Sequence, residues 1–261
     1  MNINKTIIIA MTGFLTLGLG CAFILPKEAP KNEKAVVKMG AGDDISGLLM
    51  KEIKTRMQGN NKCATTVEES SFMDCCSNSA QWALNAKEIN VGFYCNHIAK
   101  HTVEHNKNVM IYAPAVMNAE VIGYQGDWSQ VKKLGMTQGR KQSKIIAKKQ
   151  YPQIMSFEEI TQKGIMYCME DGQVDGAILD ITKAAGVPMY SYQPLSQNDY
   201  ISYVLVVDKQ FVQTKAFSEF RKTYNEAVKV LNQKDYLAEQ LEVEPSWLEQ
   251  KKIKFLTLPE E

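Results

Sequence analysis

Cysteine and histidine crowd into one stretch of the chain, Ser71 to His105. It holds Cys75, Cys76 and Cys95, three of the six cysteines, and all three histidines, His97, His101 and His105. Thiolates are soft donors that favour soft metals, and imidazole serves a wider range of ions. The pattern predicts a helix from Cys75 to Ala86 capped by Asp74, which puts both thiols in its first turn. There the unpaired N–H groups and the helix dipole favour negative charge, hence thiolate. Two adjacent thiols can hold one soft centre between them, whereas a disulfide between neighbours closes a strained ring. The plainer alternative makes one of the pair a small buried hydrophobe. Asp74 reads more as a cap than as a ligand.

Ile89 to Tyr94 reads as a strand, so Cys95 and Asn96 stand at its carboxyl end, where α/β sheets bind ligands. A buried strand-end cysteine is the equal alternative. His97, His101 and His105 recur every fourth residue. On a helix they span an arc of about 80° and rise about 12 Å, so adjacent pairs can chelate an ion and all three cannot easily share one. Ile98, Ala99 and Val103 mark the buried face, which leaves the histidine row bordering solvent. His97 is the favoured ligand of the row because it lies nearest Cys95. Cys63 and Cys168 read as core.

These residues need a scaffold. Val36–Met39, Cys63–Val67, Ile89–Tyr94 and Val109–Tyr112 read as strands, alternating with helices that begin at Ile45, at Cys75 and after Asn96. Such alternation argues a mainly parallel sheet. A second set follows a connecting strand from Met117 to Tyr124. It comprises a strand over 133–137, helices over 141–150 and 157–170, and a strand from Val174 ending on Asp180. Tyr200 to Val207 leads back, and helices over 211–231 and 234–241 close the chain. In the second set Gln138, Gly139 and Arg140 start a helix, a ready anion site; Arg140 on plain surface is the alternative. Asp180 either faces the cleft or caps the next helix. Tyr124 and Trp128 line the cleft or pack in the core.

The net charge is +1 over 261 residues and no dense basic patch exists, so nucleic-acid binding has no support. Lys5 precedes an apolar run from Thr6 to Leu25, the pattern of an export signal. Leu17-Gly18-Leu19-Gly20-Cys21 resembles a lipoprotein cleavage site with Cys21 as the lipidated residue, while the continuing apolar run equally suits an uncleaved helical anchor. Residues 26–34 form a polar tether. With Cys21 in an anchor, five cysteines remain, an odd number that argues for thiols over a disulfide framework.

The Gly-Ala-Gly-Asp loop at 40–43, Lys-Lys-Leu-Gly-Met-Thr-Gln-Gly-Arg at 132–140, Glu-Asp-Gly-Gln-Val-Asp-Gly-Ala-Ile-Leu-Asp at 170–180 and the tail from Tyr203 follow one another in a recognisable order. In that order they resemble the substrate-binding proteins of bacterial ABC importers, closest to the branch for sulfonate- and pyrimidine-type ligands. The resemblance covers about residues 35–245. It implies an α/β, two-lobed periplasmic-binding-protein-like fold of type II, each lobe a mainly parallel sheet flanked by helices, with the ligand cleft between lobes. Lobe 1 is then 35–118 plus 205–261 and lobe 2 is 119–204, after the 1–25 anchor. The adjacent cysteines resemble a narrower group, the SaoB-type substrate-binding (seleno)proteins, proposed to serve a selenocysteine-assisted organometal transport system.

The resemblance implies capture of a small ligand without catalysis, with ABC permease and ATPase subunits as partners and no resident cofactor. The implied ligand-binding residues are Gly42, Asp74, Cys75, Cys76, Ser77, Cys95, Asn96, Gln138, Gly139, Arg140 and Asp180. A soft metal ion or organometal as ligand would fall to Cys75, Cys76, His97 and His101. Three rival readings stay open: a cysteine-dependent enzyme akin to the pyrimidine-precursor synthases, a binder of a purely organic anion such as a sulfonate, and the sensor lobe of a membrane receptor. Against the enzyme, no nucleophile, base and orienting acid can be read together.

Overall fold

The computed structural model describes residues 36–59, 65–73 and 76–260. The apolar run, Cys21, the tether, Cys63, Asp74 and Cys75 lie outside them. The chain forms two sheets, each flanked by helices, in the two-lobed arrangement of periplasmic binding proteins. The first sheet has the order β11-β4-β10-β3-β1-β2 and the second β7-β6-β8-β5-β9.

In the first, β1 (Val36–Gly42) pairs in parallel with β2 (Thr66–Phe72) and β3 (Val91–Cys95). In the second, β6 (Lys133–Thr137) pairs in parallel with β7 (Ser156–Ile160) and β8 (Gly176–Asp180). These are the parallel cores that the alternating pattern implies. The strands that carry the chain between lobes add antiparallel edges. The chain leaves through β4 (Val109–Met117) into β5 (Glu120–Tyr124), and returns from β9 (Ser191–Pro194) into β10 (Ile201–Asp208). β10 pairs with strands of the first sheet from Ile201 onward, across the 204/205 boundary read from the sequence. β11 (Lys254–Phe255) closes the edge beside β4.

Burial explains the strongest elements. β3 is buried along its whole length, and β10 is buried from Ser202 to Val207. Among the helices, α8 (Lys215–Leu231) is the best patterned: Phe217, Phe220, Tyr224, Ala227, Val228 and Leu231 recur at helical spacing and are buried. Its Tyr224 ring packs with Phe220 and with Phe93 of β3 at the heart of the first lobe. Tyr124 packs against Trp128 with centroids 5.0 Å apart and planes tilted by 50°, Tyr124 in the second lobe's core and Trp128 partly buried against it.

Three elements differ from the sequence reading. The helix expected from Cys75 is α2 (Asn78–Asn85), and its cap is Ser77, whose Oγ accepts the N–H of Ala80. Ser77 offers that oxygen at extended φ and ψ and fixes the start two residues beyond Cys76. β2 begins at Thr66 because its register follows β1 residue by residue. The helix expected from Phe157 begins as a strand, β7, paired along β6; a 3-10 turn at Gln162–Gly164 then leads into the α-helix Ile165–Glu170, α5. Phe157 and Ile160 favour a strand while Glu158 and Glu159 do not, so the pairing edge decides.

Among the described residues no helix is long and apolar enough to cross a membrane.

Candidate functional site

The carboxyl ends of β1, β3, β6 and β8 point their following turns at one another across the lobe boundary. After β1 comes α1 (Ile45–Gly59), which starts just past Asp44. Asp44 Oδ1 accepts the N–H and hydroxyl of Ser46, so this carboxylate caps α1. Gly47 lies so close that a Cβ there would sit 2.4 Å from the carbonyl of Gly42. That close approach of the first turn to the strand end explains the glycine at position 47; Gly42 itself also borders a wide outer groove of about 490 Å³.

From the second lobe, Asp180 ends β8 and caps α6 (Ile181–Ala185), with Oδ1 accepting the N–H of Thr182 at 3.0 Å. The same Oδ1 accepts the N–H of Ile45, the first residue of α1, also at 3.0 Å. Both readings of Asp180, cap and cleft residue, therefore hold at once. Burial, then the charge of Asp44, push its carboxyl up to about 7, against the opposing pull of Thr182 and Arg140.

Arg140 precedes α4 (Lys141–Gln150) and turns its guanidinium into the cleft. Nη1 and Nη2 donate to the Tyr203 hydroxyl at 3.0 and 3.1 Å. Asp44 Oδ2 and Glu120 Oε1 lie 3.5 Å from its two terminal nitrogens. Tyr203 comes from β10 of the first lobe, and its hydroxyl also donates to Asp180 Oδ2 at 3.3 Å. Glu120, at the start of β5, is held by the Ser143 hydroxyl at 2.9 Å. One guanidinium thus faces two buried carboxylates, Asp44 and Glu120, and is linked to Asp180 through the Tyr203 hydroxyl. Two outer contacts add to the closure: Gln162 Nε2 donates to the carbonyl of Asp43, and Lys183 Nζ to its carboxylate.

Beside this cluster lies a closed pocket of about 60 Å³. Its polar edge is Glu120, Arg140 and Asp180, and its apolar wall is Met136, Ile165, Met166 and Ile178. On the other side of Arg140 a smaller pocket touches Cys95, His97 and Gly139. Cys76 Sγ is 3.4 Å from Cys95 Sγ.

Of the residues read from sequence, Arg140 and Asp180 meet in the cleft, and Cys76, Cys95 and Gly139 meet beside it. Asn96 opens α3 (Asn96–His105) partly buried next to Cys95. Ser77 caps α2, and Gln138 is exposed. His97, His101 and His105 are exposed on α3; the last two rings lie 4.2 Å apart, tilted by 31°, and His105 Nδ1 contacts the His101 carbonyl. Among the described residues no three of His, Cys, Asp and Glu come together as a metal-holding group. The sequence reading missed Asp44, Glu120 and Tyr203. Asp44 stood next to the quoted loop, and Glu120 was an acid inside an apolar strand, a signal worth following; Tyr203 carried none.

No protein-family model matches the chain, and neither does any curated protein. Solved structures do. The ligand-binding component of an ABC-type import system from Staphylococcus aureus, with zinc bound, has a TM-score of 0.70 at 13% identity, covering 86% of both chains. The alkanesulfonate-binding protein SsuA from Xanthomonas axonopodis pv. citri, bound to MOPS, has a TM-score of 0.60 at 13% identity over 86% of this chain and 87% of that one. A nutrient-binding protein from Burkholderia cenocepacia, bound to methionine, has a TM-score of 0.54 at 12% identity over 76% and 95%. The fold is that of these binding proteins.

Proposed function

We propose that this chain is the extracytoplasmic substrate-binding component of an ABC importer, which captures a small ligand between its lobes without catalysis. The observation that carries this is the convergence of polar groups from both lobes on one cleft: the α1 N-terminus, Tyr203 and the thiols from the first, Arg140, Glu120 and Asp180 from the second. Such a site is assembled only when the lobes meet, as a capture protein requires. The fold shared with three binding proteins of different cargo supports the role but does not select a ligand. On this reading the first 25 residues hold the chain at the outer face of the cytoplasmic membrane, through lipid on Cys21 or through a helix, and a permease and ATPase receive the cargo.

The cargo is a thiol-seeking soft metal or organometal species held by Cys75 and Cys76, in the manner implied by the SaoB-type resemblance. The thiol of Cys76 at the cleft edge, beside that of Cys95, favours this. Carboxylates crowd Arg140, which disfavours a sulfonate at that guanidinium. Calorimetry with methylmercury under reducing conditions tests it. Serine is a hard donor, so a Cys75→Ser/Cys76→Ser variant loses most of the affinity; unchanged affinity there overturns thiol capture. Uptake of the same cargo by the native host must also fall when the chain is deleted.

A further inference from the structure

Cys76 and Cys95 belong to different elements yet share one spot. Cys95 ends β3 and stands at the cap position of α3, buried, with no side-chain capping bond. Cys76 lies on the turn before α2, half-buried, with its carbonyl accepting from Gln81 Nε2 at 3.2 Å. The two sulfurs are 3.4 Å apart. The second lobe covers them with Gly139, at φ +81°, where a Cβ would lie 3.4 Å from Cys76 Cβ and 3.7 Å from its sulfur. The pocket on the far side of Cys95 reaches Arg140 and Glu120.

We infer that Cys76 and Cys95 form a chelating dithiol for a bent, trivalent thiol-seeking centre such as an organoarsenical(III), covered when the second lobe closes. This deepens the thiol-capture reading and rests on it, moving the pair from Cys75–Cys76 to Cys76–Cys95. The distance selects the class of centre. With bonds of about 2.3 Å to sulfur, a linear two-coordinate ion spreads its sulfurs to about 4.6 Å, whereas a centre with angles near ~100° holds them at about 3.5 Å. The observed 3.4 Å matches the second. A three-donor site would call for another geometry, and none exists among the described residues. The chemistry balances without any oxidant: an arsonous acid R–As(OH)₂ meets two thiols, two S–H and two As–O bonds break, two As–S bonds form, and two waters leave. The N-terminus of α3 at Cys95 favours the negative charge that builds as the thiols give up their protons.

The test titrates the full chain, in a phosphine reductant, with phenylarsine oxide and separately with methylmercury. The arsenical needs both thiols; methylmercury makes one bond. The expected result is one arsenical per chain, with affinity cut about 100-fold or more in Cys76→Ser and in Cys95→Ser, the loss of a chelate's second arm, and within about threefold of the parent in Cys75→Ser. Full arsenical affinity in Cys95→Ser overturns the chelate while methylmercury binding keeps thiol capture standing. Failure of both probes on the parent chain overturns both readings. Should the buried Cys95 position not tolerate serine, alkylation of the arsenical complex decides: Cys76 and Cys95 shielded together support the chelate, and Cys95 labelled as fast as in the unliganded chain overturns it.

Discussion

Asp180 of the second lobe accepts, through Oδ1, the backbone N–H of Ile45 at 3.0 Å, in the first turn of α1 in the first lobe. A helix N-terminus is where an anion binds readily. Here an oxygen of the protein's own Asp180 takes that place, so the lobes are joined by an internal carboxyl group. Under the proposed function the consequence for capture is direct. An anionic cargo at α1 must displace Asp180, whereas a neutral or cationic cargo need not. The acidic surroundings of Arg140 point the same way, since Asp44 and Glu120 already face it.

Arg140 is the residue whose removal costs most. Its side chain is 10% exposed, and those of Asp44 and Glu120 are 2% and 7% exposed. Taking away the cation leaves two buried carboxylates without it, which costs about 3 kcal/mol or more. Arg140→Ala therefore lowers the unfolding midpoint by several degrees in a thermal melt, and Tyr203→Phe, which loses the hydrogen bonds from the Arg140 guanidinium and to Asp180, about 1.5–3 kcal/mol, lowers it less. A double-mutant cycle on the two positions gives a coupling above about 0.5 kcal/mol, since they touch. Additive effects would mean that the Arg140–Tyr203 contact carries no energy.

Gly139 stands at φ +81°, a region that costs an L-residue about 1–2 kcal/mol. Gly139→Ala places its methyl in ordinary contact with Cys76, so the strain lies in the backbone, and relieving it shifts the turn that covers the thiols. The variant melts lower than the parent, and its cysteines react faster with a bulky maleimide. Slower or unchanged labelling would show that Gly139 does not cover the pair.

How much of this was legible beforehand follows from the physics of each element. β3, β10 and α8 declare themselves because burial writes their period directly into the sequence. Gln138-Gly139-Arg140 declares itself as a helix start with a glycine stop. The cap of α2 was misread because Asp74 and Ser77 both suit a cap, and only the course of the backbone decides between them. β7 was invisible because an edge strand takes its conformation from its partner. The Cys76–Cys95 contact joins residues 19 apart through the packing of α2 on the first sheet, and no local pattern records that. The Arg140–Tyr203 contact spans 63 residues and two lobes. Its two partners are single polar residues in otherwise ordinary segments.

Lys183 and Asp43 form the outermost bond between the lobes, at 2.6 Å, but Asp43's side chain is 73% exposed. Exposed pairs contribute about 0–1 kcal/mol and are screened by salt. Lys183→Ala thus changes unfolding stability by less than about 0.5 kcal/mol, and adding salt abolishes what difference there is. A larger, salt-insensitive loss would place the closure energy at this rim and away from the Arg140 cluster.

The carboxyl of Asp180 sets the last prediction, a pH dependence with a definite sign. An unfolded aspartate titrates near ~3.9. In the closed cleft burial, and secondly the charge of Asp44, push Asp180 up to about 7. Between about pH 4 and pH 7 the folded chain therefore holds a proton here that the unfolded chain has released. Stability from this group is complete below the lower value and is lost as pH rises through the upper one, with a slope of at most about 1.4 kcal/mol per pH unit for a single proton. Asp180→Asn keeps an oxygen for the N–H groups of Ile45 and Thr182 but cannot ionise. Urea unfolding of both proteins from pH 4.5 to 8 isolates the group together with its interaction with Asp44, because the titrations away from this pair are common to the two. The parent loses stability relative to the variant as pH rises, and the gap closes toward pH 4.5. Parallel curves across that window would show that Asp180 titrates as an ordinary carboxylate and does not close the lobes as a proton-bearing group.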